Sequence, residues 1–295
     1  MGKPRHAISF DVEEYFQVAN FTAQFPRADW DKVEPRIDVG MTAILDALKR
    51  HKTHATFFFL GWIAERHPEW VTRCLEAGHE IASHGYDHQF LWDLGQAGFD
   101  ADLARTEEIL MKAGAERPKG FRACTFTITE RSWWAFDVLT ARGYEYDSSV
   151  HPVRHPVYGV PGFDPGISTV HSADGRLSIT EFPVTTYPVG KRNIPAGGGG
   201  YFRLYPLAIT RHVLRRMESL GRPAAFYMHP WEFDPAQPRV PASRSQRFRH
   251  YVSLSRTLPR LEALLSEFDF GSFAEVLQGR SAESPNTDQL RDSRS

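Results

Sequence analysis

The sequence predicts an α/β protein built on a parallel sheet, either closed as a barrel or doubly wound. Three observations lead there. Short apolar runs alternate with longer stretches of helical periodicity, which is the order of βα units. The composition shows no break or linker that would split the chain. Glycines also fall where the helical stretches should stop. At 295 residues with 41% apolar content the chain can bury one large core, and length alone allows one barrel-sized domain or two small ones.

The strands are read first. Residues 7–12, 55–60 (ATFFFL), 79–83, 120–122, 144–147, 177–183 and 224–229 (AAFYMH) are short runs rich in β-branched or aromatic side chains. Helical spacing occupies 42–50, where Ile44, Leu45 and Leu48 fall on one face, and then 63–77, 101–113, 132–141 and 209–220. Gly78, Gly114, Gly143 and Gly221 stand at the expected C-terminal ends. The Pro- and Gly-rich stretch 148–201 reads as irregular. A single domain over 5–280 is expected, with a separate character from about 148 onward. Residues 281–295 read as a disordered tail, because Leu290 is their one large apolar side chain.

Charge and composition exclude several classes. The balance of 35 basic against 36 acidic side chains leaves no footprint for nucleic acid or an anionic membrane. Cys74 and Cys124 cannot make a disulfide framework, and reduced thiols are expected. No run approaches the roughly 18 apolar residues of a membrane span, and no basic-then-apolar leader opens the sequence. The expectation is a cytoplasmic protein, with action near the inner membrane as a corollary. Gly2 invites a myristoylation reading, but His6 stands where Ser or Thr is needed.

The chemistry concentrates behind the strands. SFDVEEYF places Asp11, Glu13 and Glu14 directly after an apolar run. In an extended strand Asp11 and Glu13 point to one side and Glu14 to the other. A plainer reading ends the strand at Asp11 and leaves the acids solvated. SHGYDH sets His84 and His88 four apart, on one face if the turn is helical, and able to converge on one metal. Thirteen histidines give roughly half of one such pair by chance, so the spacing alone is weak. A second pair, His151 and His155, reads as an incidental feature of a Pro-rich loop. Two histidines and a carboxylate from another strand end would make a three-ligand set with positions left for water and substrate. Asp11 would then be a base beside it. Arg122 closes one further strand and His229 a late one.

The blocks SFDVEEYF, ATFFFLGWIAERHPEW with AGHEIASHGYDH, GFRACTF, GYEYDSSVHP and FYMHPWEFDP together resemble the polysaccharide deacetylase family, also called NodB-homology or carbohydrate esterase family 4. RNIPAGGGGYFRLYP and HPWEFDPAQPR are similar to its branch associated with exosortase (PEP-CTERM) and exopolysaccharide loci. The resemblance spans roughly 5–278, with the blocks in family order. It implies a distorted, incomplete TIM-like (β/α) barrel with its site at the C-terminal ends of the strands. It further implies a metal-dependent hydrolase, commonly with zinc, that deacetylates an N-acetylated saccharide. By position, Asp11 matches the catalytic base, His84 and His88 the metal-binding histidines, Arg122 the arginine that orients the base, and His229 the general acid. Asp147 matches the aspartate that tunes that acid.

Two departures stand out. Val12 occupies the place of a second aspartate, which moves the ligand role to Glu13, with Glu14 open if the strand bends. Cys124 replaces the expected proline after Arg122, which should loosen the backbone amides that receive the developing oxyanion. Tyr15, Phe16, Tyr86, Phe126 and Trp231 are either sugar-stacking walls or core, and Gly197–Gly200 either a close approach to substrate or a turn. An amidohydrolase acting on a small or cyclic amide, and a catalytically silent sugar-binding protein, are the competing functions.

Overall fold

The structure is a computed structural model that describes residues 3–190, 192–281 and 288–289. Its class is α/β, of the incomplete (β/α) barrel type. The strands are β1 (His6–Val12), β2 (Thr56–Phe59), β3 (Glu80–Ser83), β4 (Gly120–Phe121), β5 (Tyr146–Asp147), β6 (Ser168–His171), β7 (Ser178–Glu181), β8 (Thr186–Val189), β9 (Arg192–Pro195), β10 (Ala225–Met228), β11 (Phe270–Gly271) and β12 (Asp288–Gln289). The helices are α1 (Ile37–His51), α2 (Gly61–Arg66), α3 (Pro68–Glu76), α4 (Leu91–Lys112), α5 (Ala135–Arg142), α6 (Gly199–Leu204), α7 (Leu207–Ser219), α8 (Arg244–Tyr251), α9 (Thr257–Glu267) and α10 (Phe273–Ser281). No helix among the described residues is long and apolar enough to cross a membrane.

Every run read as a strand contains one. The helices differ in instructive ways. The stretch 63–77 is two helices, because Pro68 lacks an N–H and cannot continue α2, yet suits the first turn of α3. Helix α1 begins at Ile37, five residues before its apolar spacing becomes regular. The stretch 148–201 is not wholly irregular: it holds β6 and β7, and the antiparallel pair β8 and β9. Pro188 and Pro195 hid that pair. In the expected tail, residues 282–287 and 290–295 lie outside the described residues, while β12 between them pairs in parallel with β6.

The chain forms two compact units. One comprises Met1–Phe57, Arg73–Glu80 and Ala196–Val276, and the other Phe58–Thr72, Ile81–Pro195 and Leu277–Ser295. In the first unit β1 pairs in parallel with β10, from Ala7↔Ala225 to Phe10↔Met228, and with β11 at His6↔Phe270. All seven residues of β1 are buried, as a parallel strand covered on both faces requires. Phe10 stacks on Phe57 at 5.2 Å between ring centroids, and each such buried side chain contributes about 1.5–3 kcal/mol. Two glycines allow backbones to meet here. A Cβ on Gly40 of α1 would lie 2.0 Å from the Pro230 carbonyl oxygen, and one on Gly198 would lie 1.9 Å from that of Tyr227. The glycine run before Tyr201 therefore lets its segment run against β10, where the Tyr227 N–H donates to Gly197 O at 2.7 Å.

In the second unit β3, β4, β5 and β7 pair in parallel in that order, and β6 joins β7 antiparallel. Beneath them Leu91, Phe99 and Leu103 of α4 pack with Phe121, Phe136 and Leu139 in one apolar cluster.

Candidate active site

In the first unit the site starts from how β1 ends. Asp11 lies in the strand and Glu13 just past it, both 2% exposed. Their carboxylates share a neighbour: His229 Nε2 stands 3.7 Å from Glu13 Oε1 and 4.0 Å from Asp11 Oδ2. Trp231 Nε1 donates to Glu13 Oε1 at 3.1 Å. Glu14, two residues beyond the end of β1, has other partners. Its Oε1 accepts the N–H groups of Arg36 at 2.5 Å and Ile37 at 2.7 Å, which are orphan donors at the start of α1. This long-range cap explains the early start of α1, and it occupies the carboxylate that sequence had left open as a ligand. Arg36 also pairs through its guanidinium with Asp234, tying α1 to the turn after His229.

Burial raises Glu14 from its ordinary 4.5 to about 7, against the lowering effect of those N–H groups. Folded protein thus holds this proton more tightly than unfolded chain. That contribution is complete below pH 4.5 and fades as pH rises through 7. Wild-type protein should therefore lose more stability between about pH 5 and pH 8 than Glu14→Gln, in denaturant titrations at both pH values. Glu14→Ala should cost about 1–3 kcal/mol through its two stranded donors, with metal content unchanged.

His229 heads a turn, Pro230–Phe233, whose third residue reaches back to it. Glu232 Oε2 accepts from the His229 backbone N–H at 2.9 Å and lies 3.0 Å from Nδ1. The other oxygen of Glu232 pairs with Arg203 Nε at 2.5 Å, and both side chains are almost wholly buried. Burial by itself would lower the His229 pKa, but Glu13, Glu232 and Asp11 outweigh it and raise the value to about 9. Burial likewise works to raise Glu232, while Arg203 and His229 bring it down to about 2. The His229 side chain keeps 17% of its surface exposed, so this cation can still meet a ligand. Its ring stacks on Trp231 at 5.2 Å, and Trp231 stacks on His250 at 4.2 Å.

Sequence reasoning missed Glu232 and Arg203. For Glu232 a signal existed: HPWE has the i, i+3 spacing of a capping box, with His in the cap position.

In the second unit His84, His88 and Cys124 come together. One donor atom from each lies within 4.8 Å of the others, and all three residues are buried. The histidines do not share a helical turn, as their spacing suggested. The segment after β3 is a bend in which Gly85 and His88 take positive φ, 74° and 58°. That bend is pinned by Gly61 N–H to Gly85 O at 2.8 Å, Trp62 N–H to Tyr86 O at 2.9 Å, and Asp102, which accepts from Tyr86 N–H at 3.0 Å. His84 Nδ1 lies 2.7 Å from the Arg122 carbonyl oxygen, which makes Nδ1 the protonated nitrogen and leaves Nε2 as the lone-pair donor. This donor set fits a divalent ion.

Arg122 is fully buried. It donates to Ser148 O at 3.1 Å and Ser148 Oγ at 2.9 Å, and its guanidinium lies 4.1 Å over Phe58. Asp147 accepts from Ser149 N–H at 2.9 Å and Ser149 Oγ at 2.6 Å. Across the ladder Asp147 faces Glu181, whose acidity burial and the Asp147 charge suppress strongly. His151 and His155 do not converge: the Tyr158 ring stacks on both, at 5.4 and 3.8 Å. Of the five aromatic candidates, Tyr15, Phe16, Phe126 and Trp231 are buried, and Tyr86 is half-buried under Arg105.

Residues 31–144 match the model of the polysaccharide deacetylase family. Residues 148–278 match a domain of unknown function, DUF3473. The chain is 33% identical over 122 residues to a peptidoglycan-N-acetylglucosamine deacetylase of Bacillus cereus, covering 37% of this chain and 44% of that protein. It is 34% identical over 130 residues to a chitooligosaccharide deacetylase of Rhizobium leguminosarum bv. trifolii, covering 44% and 56%. The chain thus spans about half the length of these relatives. A Mycobacterium smegmatis protein assigned to the polysaccharide deacetylases shares the fold, with a TM-score of 0.66 at 18% identity over 100% of this chain and 97% of the other.

Proposed function

We propose that the protein is a metal-dependent hydrolase that removes N-acetyl groups from an N-acetylated sugar polymer or glycan precursor. The observation that carries this reading is the His229 imidazole, held at Nδ1 by Glu232 and facing Asp11 and Glu13 from Nε2. Amide hydrolysis needs one group to take a proton from the attacking water and another to give one to the departing nitrogen. In this reading Asp11 is the base. His229, still protonated at neutral pH, is the acid, and Glu232 fixes its tautomer and direction.

Glu13, His84 and His88 would hold a divalent ion, zinc in this reading, which supplies Lewis acidity toward the amide carbonyl and acidifies a water. Arg122 as the residue that orients the base, and Asp147 as the one that tunes the acid, rest on the family resemblance. The deacetylase relatives and the family match support the substrate class, and the blocks shared with the exosortase branch favour an exopolysaccharide as the polymer.

The test is acetate release from N-acetylglucosamine oligomers and peptidoglycan fragments, before and after chelation and with zinc restored. Release that stops on chelation and returns with zinc is expected. No release from any N-acetylated saccharide by fully metallated protein, or release indifferent to chelation, would refute the reading.

A further inference from the structure

We infer that Cys124 is itself a protein ligand of the ion held by His84 and His88, through a thiolate. The second unit then contributes an imidazole–imidazole–thiolate set that favours borderline and soft ions such as Zn2+, Co2+ and Cd2+ over Mg2+ or Mn2+. The inference rests on the metal-dependent reading above and names a donor that it did not include.

Distance is the first argument. With Zn–N near 2.0 Å and Zn–S near 2.3 Å, the edges of a tetrahedral site measure about 3.3–3.7 Å. The three donors already lie within 4.8 Å of one another, so closing the set takes side-chain movements of about 1 Å, with no rearrangement of the chain.

The second argument is how the segments hold each other. The 122–124 segment grips His84 at two points. The Arg122 carbonyl fixes the His84 ring, and the Cys124 thiol donates to the His84 carbonyl at 2.9 Å, a bond that is given up with its proton when the sulfur binds the ion as a thiolate. The ring orientation that presents Nε2 and the rotamer that presents sulfur are therefore set by the same two strands' ends.

The backbone supplies a third. Five described residues other than glycine have positive φ, and three of them are His88, Thr125 and Phe126. Such conformations are uncommon for these residue types and persist where the surroundings over-determine them. Here one is a donor itself and the other two directly follow Cys124. Thr127 Oγ1 donating to Cys124 O at 2.8 Å, and Ala123 N–H donating to Ser149 Oγ at 2.7 Å, lock the turn that carries the sulfur.

Cys74 provides a contrast inside the same molecule. It is equally buried, and its thiol is held strongly protonated by burial, but it belongs to no group of metal donors among the described residues.

The test uses cobalt as a spectroscopic probe on the full chain. Metal-free protein with one equivalent of Co2+ should show visible d–d bands together with a near-ultraviolet thiolate-to-cobalt charge-transfer band. Cys124→Ser should keep the visible bands and lose the charge-transfer band, while Cys74→Ser keeps both. Cys124→Ser should also weaken Cd2+ binding by at least about tenfold and change Mn2+ binding far less. If wild-type protein binds cobalt without the charge-transfer band, the inference is overturned and the metal-dependent reading survives. Persistence of the band in Cys124→Ser also overturns it. If wild-type protein binds no cobalt, both fail together. Should Cys124→Ser not fold, the wild-type and Cys74→Ser spectra still decide.

Discussion

Asp11→Asn should keep the bound metal and lose roughly 10²–10⁴-fold in turnover, the range expected when a general base is removed. The substitution preserves shape in a side chain that is 2% exposed, so packing of β1 should not change. What disappears is the proton acceptor. His229→Ala should also retain the metal, but its defect should depend on the leaving group. An amine must be protonated as it departs, whereas an activated aryl acetate releases a phenolate that needs no proton. The His229→Ala defect should therefore shrink on the aryl ester while the Asp11→Asn defect stays. Equal defects for both variants on both substrates would show that one residue serves both steps.

Arg203→Ala should be the most damaging single change to stability, costing about 3–5 kcal/mol, because it leaves the buried Glu232 carboxylate without its cation. Arg203 also donates to the carbonyls of His250 at 2.6 Å, Val252 at 3.0 Å and Arg249 at 3.2 Å, so three buried or half-buried acceptors lose their donor together. A large fall in the denaturation midpoint is expected. Glu232→Gln separates folding from tuning. It removes the charge without opening a void, so the His229 titration, followed by NMR, should move down from about 9. The alkaline limb of the activity profile, where the acid loses its proton, should move to lower pH with it. An unchanged midpoint in Arg203→Ala, or an unmoved His229 titration in Glu232→Gln, would contradict this account.

Much of this was legible in the residues, and the parts that were not share a cause. Strand runs such as ATFFFL and AAFYMH announce themselves because a parallel strand is apolar throughout. Strand alternation separates Glu13 from Glu14 on paper, and the structure sends the two carboxylates to different partners although β1 ends at Val12, before both. Whatever depended on distant pairing was hidden. Helix α1 starts where it does because a glutamate 23 residues earlier caps it. Arg203 looks like one surface arginine among many until Glu232 is brought to it across 29 residues. The bend that presents His84 and His88 has the spacing of a helix without being one, since i, i+4 counts residues and not dihedral angles. Helices α8, α9 and α10 went unread, although Leu261, Leu264 and Leu265 in α9 carried a helical period.

The pairing of β1 also has a consequence in time. Its partners β10 and β11 lie 218 and 264 residues further along the chain, at Ala7↔Ala225 and His6↔Phe270. At synthesis rates of about 5–20 residues per second, the β10 edge of β1 stays open for roughly ten to forty seconds after it is made. Throughout that interval a seven-residue strand destined for complete burial, and carrying Asp11, presents an unpaired edge to its surroundings. Nascent chains held by a chaperone, and refolding yields that fall with protein concentration, are the expected signs. The proposed base reaches its acid only after the ribosome has passed residue 229.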